Sequence, residues 1–188
     1  AYLSQQLGQP VHTVQFSMAA VFAFLCVWSA YDLGSELRDK RLGRAMALAM
    51  LGGLGLFLAF MDSHYTTLMA LLFGLAFLNY VLRYLRHHYP ADAIAAGLML
   101  GAVVLTHPDT TLIIGFGYVP WLLTMWLGDK SEAYPTKRSW LVLLLGVPLV
   151  ALIGIAPWLF NIRHLLGAEI VSPFSRDPNY WRVMVFYH

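Results

Sequence analysis

The strongest constraint on this chain is the alternation of long apolar runs with short clusters of charge. A helix needs about 20 apolar residues to cross the hydrocarbon core of a bilayer, within a range of roughly 17–25. Six stretches reach or approach that length: Val14–Leu33, Leu42–Met61, Thr66–Leu85, Ala91–Leu105, Thr111–Leu127 and Trp140–Phe160. The fourth is short and stops at the Thr106-His107-Pro108 break. Composition agrees: 59% of the 188 residues are hydrophobic and 12% charged, against roughly 45–50% and about 25% in a soluble domain. Such a chain is not disordered and does not read as a soluble globular domain. The expected fold is all-α, a polytopic six-helix transmembrane bundle over residues 1–160 followed by an outer-face tail over 161–188. Apolar residues are expected all round each helix, as when lipid replaces water.

The basic residues orient the stack. Connections after the first, third and fifth spans carry Arg38, Lys40, Arg41 and Arg44, then Arg83 and Arg86, then Lys130, Lys137 and Arg138. The intervening connections, Asp62-Ser63-His64-Tyr65 and Thr106-His107-Pro108-Asp109-Thr110, carry no Lys or Arg. By the positive-inside rule the basic connections face the cytoplasm and both termini lie outside, in a plasma or inner membrane. A formal net charge of +2 gives no sign of a nucleic-acid partner. The lone cysteine, Cys26, excludes an internal disulfide and any multi-cysteine metal site, and its apolar run makes it a buried thiol. Gly97 and Gly101, and the Gly52, Gly53 and Gly55 group, are read as smooth patches for close helix approach. Pro120, Pro148 and Pro157 are expected to bend their helices. Ala1 is neither Met nor part of a charged leader, and His188 ends an aromatic, irregular stretch. The expectation is therefore an interior piece of a longer chain, with a short processed subunit as the alternative.

The unusual polar groups gather on the outer side. Two carboxylates and two imidazoles, Asp62, His64, His107 and Asp109, occupy the two outer connections. One reading is a shared pocket, with the carboxylates as acid–base groups or ligands of a divalent metal and the histidines as ligands or proton shuttles. The other is structural: Asp62 and Asp109 serve as helix N-caps. Asp92, just after Pro90, reads as a first-turn residue favoured by the helix dipole. Asp32 reads as a partner for Arg38 or Arg44, and His87 and His88 as wet loop residues. In the tail, Arg163 is a candidate contact for a lipid-linked phosphate, since guanidinium pairs bidentately with phosphate; snorkelling to lipid head groups is the competing role. No Walker loop, GxGxxG, GxSxG or HExxH pattern occurs, so nucleotide binding and standard hydrolase sites have no support.

The run "RDKRLGRAMALA", then "DSHYTTLMALLFGLAFLNYVLRYLRHH", then "AIAAGLMLGAVVLTHPDTTLI" resembles the membrane glycosyltransferases of the GT-C superfamily. Their kin include protein O-mannosyltransferases, aminoarabinose transferases and the catalytic oligosaccharyltransferase subunit. The resemblance covers about Leu7 to Phe160 and rests mainly on the last run. It implies a polyprenyl-phosphate-linked sugar as donor, reaction on the outer face, and six spans equivalent to the family's second to seventh. It also implies a large outer loop before the first of them, bearing the catalytic acid. Residues 1–13 hold no Asp or Glu, so no residue here carries over as the family's base. The alternative expectation is a non-catalytic structural or accessory subunit, whose partners are membrane lipids and other membrane subunits.

Overall fold

A computed structural model describes residues 5–6, 8–53, 65–127 and 136–162. Every regular element among them is helical: α1 (Val11–Leu37), α2 (Lys40–Leu51), α3 (Tyr65–His87), α4 (Pro90–Thr106), α5 (Pro108–Leu127), α6 (Lys137–Leu141) and α7 (Val147–Ile162), the last two joined by a π-helical turn at Val142–Gly146. Three helices are long and apolar enough to cross a membrane: α1, α3 and the continuous stretch Lys137–Asn161, while α4 and the Thr110–Thr124 part of α5 are shorter apolar helices. By length and composition this is a membrane protein. By compactness the chain divides at Ile155, and the second unit is described only from Ala156 to Ile162, the end of α7.

Local chemistry sets the helix ends. Asp39 caps α2, its Oδ1 accepting from the backbone N–H groups of Arg41 and Leu42 at 2.8 and 2.9 Å. Pro90 opens α4, where a missing N–H costs nothing. His88 closes α3 with φ 55°, in the left-handed region, while its N–H bonds Tyr84 O at 2.8 Å. The second span departs from expectation. Its helix stops at Leu51, with Gly52 as the C-cap and its N–H on Leu48 O at 2.9 Å, and Gly53 lies beyond it; residues 54–64 lie outside the described residues. Lys40, Arg41 and Arg44 also make α2 amphipathic, where an apolar surface all round was expected.

The hairpin of α3 and α4 is the centre of the bundle. Helix α1 packs on α2 and α3, and α4 packs on α5 and on the π-helical turn. In α3, 39% of the most apolar window is buried, against 11% in α1, so α3 is interior and α1 peripheral. One cluster joins α3, α4, α5 and the π-helical stretch through Phe77, Val81, Ala96, Tyr118, Leu122, Leu143 and Val147. Lipid is as apolar as these side chains, so close packing and interhelical hydrogen bonds hold the helices together. Outward-facing Phe24, Ile113, Phe116 and Leu145 are exposed, as a lipid-facing surface requires.

Glycine sets two close approaches. A Cβ on Gly97 would lie 2.6 Å from Val150 Cβ and 2.8 Å from the Val147 carbonyl oxygen, so α4 meets α7 only because that atom is absent. A Cβ on Gly34 would lie 2.7 Å from Gly43 Cα, so α1 and α2 cross backbone to backbone. Gly101 is less critical, with its nearest contact at 3.3 Å.

The π-helical turn follows from Pro148. Proline has no N–H, and its ring crowds the carbonyl of residue i−4, here Leu144. The preceding turn widens, and the Val147 N–H bonds Val142 O, five residues back. The Leu143 carbonyl thus loses Val147 as its ordinary donor, and the next backbone position, Pro148, has none to offer. Tyr118 of α5 supplies the missing donor, its hydroxyl 3.1 Å from Leu143 O.

Candidate functional site

At the end of α4 remote from the basic side chains, α4 and α5 meet in a corner at His107. The residue is extended (φ −157°, ψ 94°), and its N–H still bonds Val103 O at 2.9 Å, closing α4. The Thr106 hydroxyl folds back onto Ala102 O at 2.8 Å. Helix α5 begins at Pro108, so His107 occupies the N-cap position and Asp109 is the second helical residue. The N-cap position, one of the two roles expected for Asp109, therefore falls two residues earlier, on His107. The half-buried His107 ring places Nδ1 3.3 Å from Thr110 Oγ1. If the hydroxyl donates, the proton sits on Nε2 and the ring donates there; if Nδ1 donates, Nε2 is left to accept a proton or a metal.

Sequence adjacency alone brings His107 and Asp109 to this corner. Asp62, His64 and Arg163 lie outside the described residues. Among the described residues no three His, Cys, Asp or Glu side chains converge as a metal site.

At the basic end, polar contacts tie the helices together. Arg86 of α3 reaches Glu36 of α1 at 3.4 Å. Arg38 pairs with its neighbour Asp39 at 3.8 Å, rather than with Asp32. Arg83 lies 3.6 Å from Asp92 across the α3–α4 hairpin and 5.6 Å from the centre of the Tyr80 ring. Asp92 does stand in the first turn of α4, but it is only 6% exposed, and its Oδ2 has no hydrogen-bond partner among the described residues. It is thus an ion-paired buried carboxylate as well as a dipole partner. The Trp140 indole N–H bonds Leu122 O at 3.2 Å, docking α6 on α5.

The same end holds a pocket of about 510 Å3 between the α3–α4 turn and the start of α6. His88 is an exposed residue of the α3–α4 connection, as expected, and it also lines this pocket, with Nδ1 3.2 Å from Ser139 Oγ. Ser139 is 3% exposed and also lies 3.0 Å from Thr136 Oγ1, which in turn accepts from the Ser139 N–H at 3.2 Å. Arg138 stands on the same wall, and Ala93, Ile94, Val142 and Val150 make the apolar side. One local signal was legible: Thr136, a few residues before the apolar run that starts at Trp140, fits a helix N-cap pattern. Nothing in the linear order places His88, 51 residues earlier, beside Ser139.

No family model, curated protein or solved structure matches the chain.

Proposed function

We propose that this chain is a multi-pass protein of six spans, with both ends outside and the basic connections facing the cytoplasm of a plasma or inner membrane. We further propose that it forms part of a glycosyltransferase resembling the GT-C group, acting on the outer face with a lipid-linked sugar as donor. One observation carries this reading: the His107-Pro108-Asp109 corner joins two apolar helices at the opposite end of α4 from Arg83, Arg86 and Arg138. It belongs to the run on which the resemblance rests. In the transfer, the bond from the sugar's anomeric carbon to the phosphate oxygen breaks and a bond to the acceptor oxygen forms. The acceptor proton passes to a general base, and the carrier leaves as an anionic lipid phosphate. His107 and Asp109 would line the reaction site with Asp62 and His64, and Arg163 would neutralise the departing phosphate.

Two experiments test this. With Cys26→Ser as background, single cysteines at Thr66→Cys and Tyr89→Cys should label from opposite sides of sealed membranes, Thr66→Cys from outside. Labelling of both from one side would overturn the orientation. In membranes holding the native chain, His107→Ala with Asp109→Ala should abolish transfer from a polyprenyl-phosphate sugar while protein levels stay unchanged. Full activity in that double variant would remove this corner from the site.

A further inference from the structure

The pocket at the basic end is amphiphilic. Its polar wall presents the Arg138 guanidinium, the His88 imidazole and the Thr136 hydroxyl, while Ile94, Val142 and Val150 form the opposite, apolar wall. Among the described residues no carboxylate lines it. The nearest described acid, Asp92, belongs to the neighbouring turn and is engaged by Arg83. A pocket that is cationic at one end and greasy at the other matches a molecule with the same division.

Two further features show that the polar wall is held in place. The Ser139 hydroxyl, 97% buried by its 3% exposure, stands between His88 Nδ1 and Thr136 Oγ1 and fixes both. His88 itself takes a left-handed backbone, with φ 55°, as the two-residue turn between α3 and α4 requires. Around it, Tyr89 is 63% exposed and Trp140 is half-buried with its N–H directed to the Leu122 carbonyl. Aromatic side chains with a polar tip settle at the membrane–water boundary, so this level is where lipid head groups lie.

We infer that this pocket binds an anionic phospholipid from the leaflet on the basic side, with its phosphate against Arg138 and His88 and the start of an acyl chain against Ile94, Val142 and Val150. The site is separate from the His107 corner and does not depend on the transferase reading. The guanidinium can offer two parallel N–H donors to phosphate oxygens, and His88 adds a third contact through its remaining ring nitrogen.

The full chain, reconstituted in bilayers of equal phosphatidylglycerol and phosphatidylcholine and released into native mass spectrometry, should retain phosphatidylglycerol selectively. Arg138→Gln should lower that retention about fivefold, the scale of one basic side chain near an anionic surface. Gly146→Leu should lower it by filling the apolar half, where a Cβ meets Val142 at ordinary distances, Cγ1 at 3.6 Å and Cβ at 3.9 Å. Lys137→Gln removes an equal charge one residue away, off the pocket wall, and should leave retention unchanged. Equal loss in the Lys137 and Arg138 variants would reduce the effect to general surface charge and overturn the site. Unchanged retention in Arg138→Gln, or equal retention of phosphatidylcholine, would also overturn it. Displacement of the lipid by millimolar inorganic phosphate alone would assign the pocket to free phosphate and overturn the lipid reading. Thermal unfolding of each variant, followed in the same detergent, separates a lost site from a lost fold.

Discussion

Replacing Tyr118 by Phe should isolate the cost of the widened turn in the last helix. The aromatic ring is 8% exposed and meets Phe77 edge-on at 5.1 Å and Trp121 at 6.0 Å. Phenylalanine keeps those contacts and removes only the hydroxyl, whose single described partner is the Leu143 carbonyl at 3.1 Å. Interhelical hydrogen bonds in membranes average about 0.6 kcal/mol, with a ceiling near 1.7. An acceptor left buried and unpaired costs about 1–3 kcal/mol. Leu143 O has no backbone donor to fall back on, because Val147 bonds Val142 and Pro148 has no N–H. The loss should therefore fall near the upper membrane value, at about 1.5 kcal/mol, or roughly tenfold in the unfolding equilibrium. Pro148→Ala restores an N–H at the position facing Leu143 O. In that background Tyr118→Phe should cost less than about 0.5 kcal/mol, giving a coupling near 1 kcal/mol. The assay is reversible unfolding in mixed micelles of rising SDS content, read by circular dichroism and by labelling of Cys26, which is fully buried. An equal cost of Tyr118→Phe with and without Pro148 would refute the link between the proline, the π-helical turn and the tyrosine.

The other expectations use the same assay. Gly97→Ala should destabilise by about 1–3 kcal/mol, the cost of overpacking, since its Cβ strikes both Val150 and the Val147 carbonyl. Gly101→Ala, whose nearest contact is 3.3 Å, should cost clearly less; equal costs would show that the α4–α7 contact is looser than described. Arg83→Met should destabilise more than Asp92→Asn. The first strands a buried carboxylate, while the second leaves a half-exposed guanidinium that water can reach. The reverse order would sink that account. Asp39→Ala should cost about 1 kcal/mol through two lost N–H partners at the start of α2, and Asp39→Ser should recover most of it.

Much of the fold is legible in the linear order. Helix identity follows from uninterrupted apolar length, because a lipid-exposed backbone must satisfy its own hydrogen bonds. The first, third, fourth and fifth runs match their helices to within a few residues, and Cys26 is buried as its surroundings required. Gly97 was readable as a contact point because its GxxxG partner lies one turn away on the same helix. Gly34 and Gly43 were not readable, since they belong to different helices and become neighbours only when α1 folds back on α2. The end of α2 at Leu51 was not readable from hydropathy, which continues through Gly52 and Gly53, although glycine lowers helix propensity there.

The sites divide in the same way. Sequence by itself determined that His107 and Asp109 share one corner, because only Pro108, which opens the next helix, separates them. It also determined which end of the hairpins carries the basic side chains. Only tertiary structure decided that His88, Ser139 and Arg138 share a pocket, that Asp92 is buried against Arg83, and that Tyr118 completes a turn broken by Pro148. Local pattern reports the constraints a residue feels from its own helix. A hydrogen bond between residues 25 or 51 apart depends on helix rotation and offset, which close packing around particular glycines sets.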